Sequence, residues 1–236
     1  MNGKLKKSRQ KMMEKVLAYH SGFRPEMAQF LPTRYCKVLE IGCGEGDFRT
    51  HFNQNCEYWG IEPFQIAAKV ASKKLFKVLI GPYEKVFELL PDTYFDLVIC
   101  NDVIEHMFDH NAFFLSIKQK LKKDSYIVGS IPNVRFYLNL YELVIDKDWK
   151  YKGEGILDQT HLRFFTEKSL KRILIEHEFI IEEFSGINKL SITANCVRKI
   201  INKILIYILG GDVQFPQFGF RDKYPAAFGV IHNSRV

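Results

Sequence analysis

Residues 38–48 read VLEIGCGEGDF, and this stretch decides the fold. Its apolar beginning is typical of a buried strand, and glycines follow at alternate positions, Gly42, Gly44 and Gly46. Glycine has no Cβ and tolerates positive φ, so the main chain of such a turn can lie very close to a bound ligand. The stretch therefore predicts a buried strand, a ligand-binding turn and the beginning of a helix.

The spacing of these glycines distinguishes between two kinds of nucleotide site. A dinucleotide fingerprint reads Gly-x-Gly-x-x-Gly, whereas here Asp47 occupies the position of the third glycine, which disfavours NAD or FAD. A second apolar strand, EYWGIEP at 57–63, ends in Glu62, where a carboxylate that binds ribose hydroxyls belongs. The alternative is a plain strand-to-helix turn in which Glu62 caps a helix that begins at Pro63.

These features resemble the class I S-adenosylmethionine-dependent methyltransferases, and the resemblance continues along the chain. Residues 95–109, FDLVICNDVIEHMFD, are similar to the fourth strand and following loop of that family, and residues 125–133 to its fifth strand. The VIEH motif and DQTHLRFFT at 158–166 resemble the small-molecule branch, which includes ubiquinone-type O-methyltransferases and bacterial surface-polysaccharide methyltransferases. The resemblance implies S-adenosylmethionine as the cofactor and S-adenosylhomocysteine as the product.

The resemblance also implies which residues bind the cofactor. We expect the methionine half beside the glycine turn, the ribose hydroxyls on Glu62, and the adenine ring beside Pro63 or Phe64. The adenine amine falls near Tyr83 and Glu84, and the amino group and methyl fall near the end of the fourth strand. The predicted cofactor-binding residues are Glu40, Gly42, Cys43, Gly44, Gly46, Glu62, Pro63, Tyr83, Glu84, Asn101, Asp102 and Val103.

Two histidines are candidates for the catalytic base. An acceptor hydroxyl must lose its proton during methyl transfer, and histidine is suited to this role near neutral pH. His106 follows the predicted fourth strand, and His161 lies in the DQTHLRFFT motif. For each of them a purely structural hydrogen bond is the alternative. Asp102, Glu105 and His106 also resemble a divalent-metal site of the ubiquinone branch; the predicted site contains no metal, and a weakly bound Mg²⁺ is the open alternative.

Composition limits the architecture and the location of the protein. The chain has 236 residues, 47% of them hydrophobic, which suits one α/β domain with one large core. Five scattered cysteines without a Cys-x-x-Cys pair predict reduced thiols rather than zinc or a redox dithiol. The basic start of the chain is not followed by an apolar signal segment, so we expect a cytoplasmic protein.

The net charge of +7 bears on the partners. A positive surface attracts anionic small molecules, such as a sugar nucleotide, as readily as nucleic acid. Segment 196–209, CVRKIINKILIYIL, is helical in pattern with an apolar face, but it is too short to span a membrane. We expect it to pack in the core or in a homodimer, with contact to a membrane surface as the alternative.

Alternating apolar strands and helical segments predict an α/β fold with a Rossmann-like, doubly wound, mostly parallel sheet. We expect strands at 36–41, 57–62, 77–81, 95–101, 125–131 and 179–185. By analogy with the family, a seventh, antiparallel strand is expected at AAFGVIHN (226–233). The single methyltransferase domain then comprises an N-terminal helical lid (1–35, with a helix at 9–31), a cofactor-binding core (36–132), a substrate cap (133–166), and the C-terminal half of the sheet with a helical insertion (167–236).

Three functions of different classes are compatible with these motifs. The first, which is the leading prediction, is an O-methyltransferase for a sugar or nucleotide-activated precursor of a bacterial capsule or lipopolysaccharide. A phosphate- or phosphoramidate-bearing acceptor is a variant of it, and a quinone-type lipid is the alternative acceptor. The second is a nucleic-acid or protein methyltransferase. Enzymes that methylate base amines usually carry Asn/Asp-Pro-Pro-aromatic after the fourth strand, and residues 101–104 read NDVI, which disfavours flipped-base chemistry. The third is a cofactor-binding module without catalysis.

Overall fold

The computed structural model describes residues 22–53, 55–189 and 206–225. Its centre is a seven-stranded sheet with the order β3-β2-β1-β4-β5-β7-β6. The strands are β1 (Lys37–Ile41), β2 (Glu57–Glu62), β3 (Lys77–Ile80), β4 (Phe95–Asn101), β5 (Leu121–Pro132), β6 (Ile180–Ile187) and β7 (Gln217–Tyr224). The first five strands pair in parallel, and β7 is antiparallel to both of its neighbours. The predicted Rossmann-like sheet with an antiparallel last strand is confirmed.

Short helices connect the strands and flank the sheet. The α-helices are α1 (Gln65–Ala71), α2 (Tyr83–Val86), α3 (His110–Lys120), α4 (Tyr137–Tyr141) and α5 (Glu167–Glu176), and a π-helical turn (Glu142–Asp146) follows α4. Asp109 caps α3 by accepting a hydrogen bond from the Ala112 amide, and Thr166 forms a capping box with Ser169 at the start of α5. These caps fix where α3 and α5 begin.

The strand order places a binding crevice at one edge of the sheet. β1 lies between β2 and β4, so the chain runs outward in opposite directions on its two sides. In such sheets the loops after the central strands separate and leave a crevice at the carboxyl ends of the strands. Alternate residues of β1 enter different apolar layers, Leu39 on one face of the sheet and Val38 on the other. Both faces of β1 are therefore buried, and this packing fixes the position at which the following turn begins.

The N-terminal segment differs from the predicted helix at 9–31. Within its described part, Arg24 has a left-handed backbone (φ 45°), and only Pro25–Phe30 is helical, as a 3-10 turn. Phe30 of this turn is buried against β7, where Gly219 leaves room for it, since a Cβ there would lie 2.3 Å from the ring. The segment is thus packed on the sheet as a short turn. The rest of the predicted lid helix lies outside the described residues.

The antiparallel last strand also has a different position. It is β7 at Gln217–Tyr224, not 226–233, and that later segment lies outside the described residues. The sequence analysis missed β7 because two charged residues, Arg221 and Asp222, interrupt the apolar pattern that is typical of a strand. Of the predicted helix at 196–209, only residues 206–209 are described, and they are helical. Within the described ranges, no helix is both long and apolar enough to cross a bilayer.

Asp222 carries an uncompensated carboxyl group in the core. The residue is fully buried in β7, and neither side-chain oxygen has a hydrogen-bond partner among the described residues. Burial raises the pKa of Asp222 to about 8, whereas the unfolded chain loses this proton near the ordinary aspartate pKa of 3.8. The unfolded state therefore releases the proton at lower pH than the folded state. The free energy of unfolding falls between these two pH values, by up to about 1.4 kcal/mol per pH unit from this group.

The replacement Asp222→Asn removes this titration and keeps the shape of the side chain. We expect its melting temperature at pH 8 to exceed that of the wild type by at least about 4 °C, because about 2 kcal/mol corresponds to that shift at this chain length. Near pH 4 the two proteins should melt alike. Thermal unfolding between pH 4 and 8 measures the difference, with the exposed Asp124→Asn as control. A constant difference across this range would contradict the assignment.

Candidate active site

A cavity of about 580 Å³ opens at the carboxyl ends of β1, β2 and β4. Eleven of the twelve residues predicted to bind the cofactor line it, and the exception is Gly46. These are Glu40, Gly42, Cys43, Gly44, Glu62, Pro63, Tyr83, Glu84, Asn101, Asp102 and Val103. The sequence motifs, separated by up to 63 positions, thus meet in one crevice.

The glycine turn forms one wall of the cavity. Gly42 and Gly44 have positive φ angles of 71° and 53°. The amides of Gly42 and Cys43 both donate to the carbonyl of Ile61, at 2.8 and 3.0 Å, which ties the turn to β2. A Cβ on Gly42 would lie 2.7 Å from the side chain of Val103. Glycine is therefore required here by the backbone conformation and by the close approach of the loop after β4.

Glu62 is fixed at the end of β2 by two backbone amides. Its carboxylate accepts hydrogen bonds from the amides of Gly44 and Phe64, each at 2.8 Å. The side chain is only 2% exposed, yet it lines the cavity. The two amides hold the carboxylate in one orientation, facing the space where ligand hydroxyls can donate to it. The bond to Phe64 also ties Glu62 to the residue before α1, but this helix begins at Gln65 and not at Pro63, and no side chain caps it.

Glu40 lies at the base of the same wall and is held differently. The Tyr58 hydroxyl donates to its carboxylate at 2.9 Å. Burial raises the pKa of Glu40 to about 8, although the hydrogen bond from Tyr58 opposes this shift. Glu40 is therefore largely protonated at neutral pH, and it can donate a hydrogen bond toward the cavity as well as accept one.

Arg24 is a cavity residue that the sequence analysis missed. It is the one Lys or Arg side chain among the described residues that line the cavity. Its guanidinium forms hydrogen bonds with Asp102 and, at 2.9 Å, with the Ser130 hydroxyl. Asp102 also accepts hydrogen bonds from Ser130 at 2.8 Å and from Gln217 at 2.9 Å. No local pattern around Arg24 indicates this role, because its cavity partners, Asp102 and Ser130, follow β4 and lie on β5, respectively.

Both candidate bases belong to one cluster, but they occupy different places in it. His106 ends the 3-10 turn Ile104–His106 after β4 and lines the cavity, whereas His161 is not among the lining residues. The centres of the two imidazole rings are 4.7 Å apart. Burial and the neighbouring His161 lower the pKa of His106, so its imidazole is neutral at pH 7.

Glu105 connects the loop after β4 to the DQTHLRFFT motif. Its backbone carbonyl accepts hydrogen bonds from the amides of Leu162 and Arg163, at 2.8 and 3.0 Å. Burial raises the pKa of the Glu105 carboxyl well above its ordinary value. One potential ligand atom from each of Glu105, His106 and His161 lies within 4.8 Å of the other two.

The metal set suggested by the family resemblance does not fit this arrangement. It comprised Asp102, Glu105 and His106, but both carboxylate oxygens of Asp102 are engaged by other side chains. The group of potential ligands that the structure brings together contains His161 in place of Asp102. The sequence spacing suggested three neighbours in one loop, and folding instead joined two of them to a residue 55 positions away.

The side chains of segment 133–166 are partly committed to packing. Arg135 binds Asp212 at 2.7 Å and the Leu209 carbonyl. Trp149 and Tyr151 both pack against Phe164. Phe108, near the His106 end of the cavity, is exposed, and the Arg163 guanidinium lies 5.9 Å from its ring centre. Phe108 itself is not among the residues that line the cavity.

Comparison with known proteins places these features in a family. The family model described as "Methyltransferase domain" matches residues 5–183. The chain belongs to this family. A ubiquinone biosynthesis O-methyltransferase from Bradyrhizobium diazoefficiens is 27% identical over 155 residues, which are 64% of this chain and 61% of that protein. The match thus spans less than two thirds of the length of that relative.

Solved structures show the same fold over most of the chain. A SAM-dependent methyltransferase from Archaeoglobus fulgidus is 26% identical, with a TM-score of 0.58 and coverage of 89% of this chain and 94% of that one. A second SAM-dependent methyltransferase, from Thermotoga maritima, is 19% identical, with a TM-score of 0.60 and coverage of 90% and 95%. The resemblance to class I methyltransferases stated from the motifs is confirmed for the family and for the fold.

Proposed function

We propose that this chain transfers the methyl group of S-adenosylmethionine to a hydroxyl oxygen of a small aromatic acceptor of the quinone type. The observation that carries the proposal is the cavity itself. A glycine turn, a carboxylate fixed at the end of β2 and the loop after β4 line one crevice in a chain of the methyltransferase family.

The cavity offers a partner for each polar part of the cofactor. The ribose hydroxyls donate to Glu62, and the methionine carboxylate pairs with Arg24. Asn101 lines the cavity, and neither atom of its buried side-chain amide has a hydrogen-bond partner among the described residues. Buried amides are rarely left without partners, so this one favours a bound polar ligand. Asn101 and Asp102 then neighbour the amino group of the methionine half.

Methyl transfer needs alignment more than covalent help from the protein. The acceptor oxygen attacks the methyl carbon, the carbon–sulfur bond breaks, and its electron pair remains on the sulfur of S-adenosylhomocysteine. Holding the two reactants in line removes most of the entropic part of the barrier. The hydroxyl proton leaves toward His106, which is neutral and lines the cavity, whereas His161 lies behind it.

The lining of the cavity favours an aromatic hydroxyl over a sugar nucleotide. Phosphate groups are usually bound by several basic side chains. Among the described lining residues, Arg24 is the single Lys or Arg, and in the proposed arrangement it already pairs with the methionine carboxylate of the cofactor. An aromatic hydroxyl has a pKa of about 10, which is within reach of an imidazole base. The exposed Phe108 near His106 suits an acceptor with an apolar tail.

The names of the relatives favour the same acceptor class, since they are ubiquinone biosynthesis O-methyltransferases. The sugar or capsule acceptor, the cytoplasmic location and the homodimer stay predictions. We further propose that segment 133–166 covers the acceptor, as its position after β5 and its contact with Glu105 suggest.

A transfer assay tests the proposal directly. Purified protein with S-adenosylmethionine is offered a dihydroxybenzene with a short apolar tail, a nucleoside diphosphate sugar, or no acceptor, and S-adenosylhomocysteine release is measured. We expect release with the aromatic acceptor at a rate at least tenfold above the other two. Faster release with the nucleoside diphosphate sugar would show that the acceptor is a sugar nucleotide and not an aromatic hydroxyl. The absence of S-adenosylmethionine binding in calorimetry would overturn the proposed methyl transfer.

The replacement Arg24→Met removes the cation of the cavity. We expect the dissociation constant for S-adenosylmethionine to rise about 10- to 100-fold, because a hydrogen bond to a charged group contributes about 1.5–3 kcal/mol. Calorimetry measures this change, and Arg34→Met, on the exposed part of the same segment, is the matched control. Equal losses for adenosine and for S-adenosylmethionine would show that Arg24 does not contact the methionine carboxylate.

A further inference from the structure

Asp102 lines the cavity and is held there by three side chains from distant parts of the chain. Its carboxylate accepts hydrogen bonds from Arg24, from the Ser130 hydroxyl at 2.8 Å and from the Gln217 amide at 2.9 Å. The main chain of Asp102 is left-handed, with φ 52°, and its amide donates to the Ser130 carbonyl at 3.1 Å. For a residue other than glycine, such a conformation persists only where the surrounding structure holds it.

The topology of the sheet explains how Gln217 reaches this site. Ser130 pairs with Asn101 across the parallel strands β4 and β5, so it lies near the edge where the cavity opens. β7 runs antiparallel to β5, and its first residue, Gln217, therefore pairs with Pro132 at the same edge. A side chain 115 positions away thus meets Asp102.

The orientation of the Gln217 amide is fixed by its two partners. A carboxylate only accepts, so the NH₂ group of Gln217 faces Asp102. The Oε1 of Gln217 then accepts from the side-chain amide of Asn188 at 2.7 Å, just beyond the end of β6. Rotation of the Gln217 amide would break both hydrogen bonds, so the donor that Asp102 receives is held in place.

Asp102 and Ser130 in turn orient the Arg24 guanidinium. Its Nη1 donates to Asp102, its Nη2 donates to the Ser130 hydroxyl at 2.9 Å, and its Nε donates to Glu26. Within the described chain these bonds use three of the five N–H groups of the guanidinium, and two are left for a ligand. The Ser130 hydroxyl accepts from Arg24 and donates to Asp102, so the three side chains form one closed network.

We propose that Gln217 and Ser130 are positioning residues for the methionine half of the cofactor. Neither of them lines the cavity, so they act through the residues that do. They hold Asp102, Asp102 and Ser130 hold the Arg24 guanidinium, and its remaining N–H groups then face the methionine carboxylate. This role rests on the proposed function. The amino end of β7 thereby sets the affinity for the amino-acid end of the cofactor without touching it.

Calorimetry with two thioether ligands tests these positioning residues. S-adenosylhomocysteine carries the amino-acid end, whereas 5′-methylthioadenosine has the same adenosine and sulfur but no amino or carboxylate group. The variants are Ser130→Ala and Gln217→Met, in which the side chain keeps its length but donates no hydrogen bond. Gln214→Met, on the 3-10 turn before β7, is the matched control. Both variants are also combined with Arg24→Met.

We expect the affinity for S-adenosylhomocysteine to fall about five- to tenfold in Gln217→Met and further in Ser130→Ala, because residues of one hydrogen-bond network are energetically coupled. The affinity for 5′-methylthioadenosine should stay within about twofold, which also shows that the site is folded. In the Arg24→Met background each replacement should add less than about twofold, since both act through Arg24.

Equal losses for the two ligands, or losses that add fully to that of Arg24→Met, would overturn the positioning role. Gln217 is half-buried at a strand end, so Gln217→Met decides the outcome if Ser130→Ala does not fold. A wild type that does not bind S-adenosylhomocysteine overturns the proposed function. A wild type that binds it, with unchanged affinity in Gln217→Met, overturns the positioning role alone.

Discussion

Replacement of Glu62 by glutamine is expected to weaken S-adenosylmethionine binding at least about 100-fold. Both carboxylate oxygens accept from backbone amides, those of Gly44 and Phe64. Glutamine offers one oxygen, so its NH₂ group faces an amide donor and one hydrogen bond is lost. The ribose hydroxyls also lose a charged acceptor, at about 1.5–3 kcal/mol for each hydrogen bond. Together these losses exceed the 2.7 kcal/mol that correspond to a factor of 100.

Calorimetry with S-adenosylhomocysteine measures the effect without turnover. The matched control is Glu57→Gln, at the opposite end of β2, where the carboxylate binds Trp59 and Tyr94 away from the cavity. We expect the control to bind within about twofold of the wild type. Thermal unfolding without ligand shows whether the turn after β1 survives in Glu62→Gln. A folded Glu62→Gln protein with unchanged affinity would remove Glu62 from the ribose site.

Replacement of His106 by alanine is expected to lower turnover by about 10²- to 10⁴-fold, the usual contribution of a general base. The affinity for S-adenosylmethionine should stay within about twofold, because the proposed contacts of the cofactor lie on Glu62, Arg24 and Asn101. Single-turnover rates with a tailed dihydroxybenzene measure the loss.

The pH profile and a second histidine provide the controls. Burial lowers the pKa of His106, so the imidazole protonates only below its ordinary range. Wild-type activity should therefore persist to lower pH than an unperturbed histidine would allow, and the acid limb should vanish in the residual activity of His106→Ala. His177→Ala, whose ring binds Asn111 at 3.1 Å on α3, should retain full turnover. Full turnover in His106→Ala would exclude this histidine from the reaction.

The sequence predicted β1 to β4 well, because these strands carry their own signals, whereas β5 begins at Leu121 and not at the predicted residue 125. β1 to β4 are apolar runs bounded by turns, and their predicted bounds agree with the structure to within one residue. The same runs place Gly42, Gly44 and Glu62 at strand ends. Since the carboxyl ends of parallel strands share one edge, their meeting in one cavity also followed from the pattern.

The features that the sequence did not reveal depend on tertiary contacts. Arg24 lies in a segment with helical spacing, and its partner Asp102 is 78 positions away. His161 was a candidate, but its place behind His106 arises from the backbone contacts of Glu105 with the DQTHLRFFT motif. β7 was misplaced because Asp222, a charged residue type without a partner, lies where a strand pattern requires an apolar side chain.

The position of β7 has a consequence for synthesis of the protein. This strand follows β6 in the chain but lies between β5 and β6 in the sheet. While the ribosome is still making residues 217–224, the edge of β5 has no neighbour and exposes its backbone amides and carbonyls. Such an edge is a template for pairing with other nascent chains. We therefore expect the sheet to close late, and the unfinished chain to depend on chaperones that shield β5.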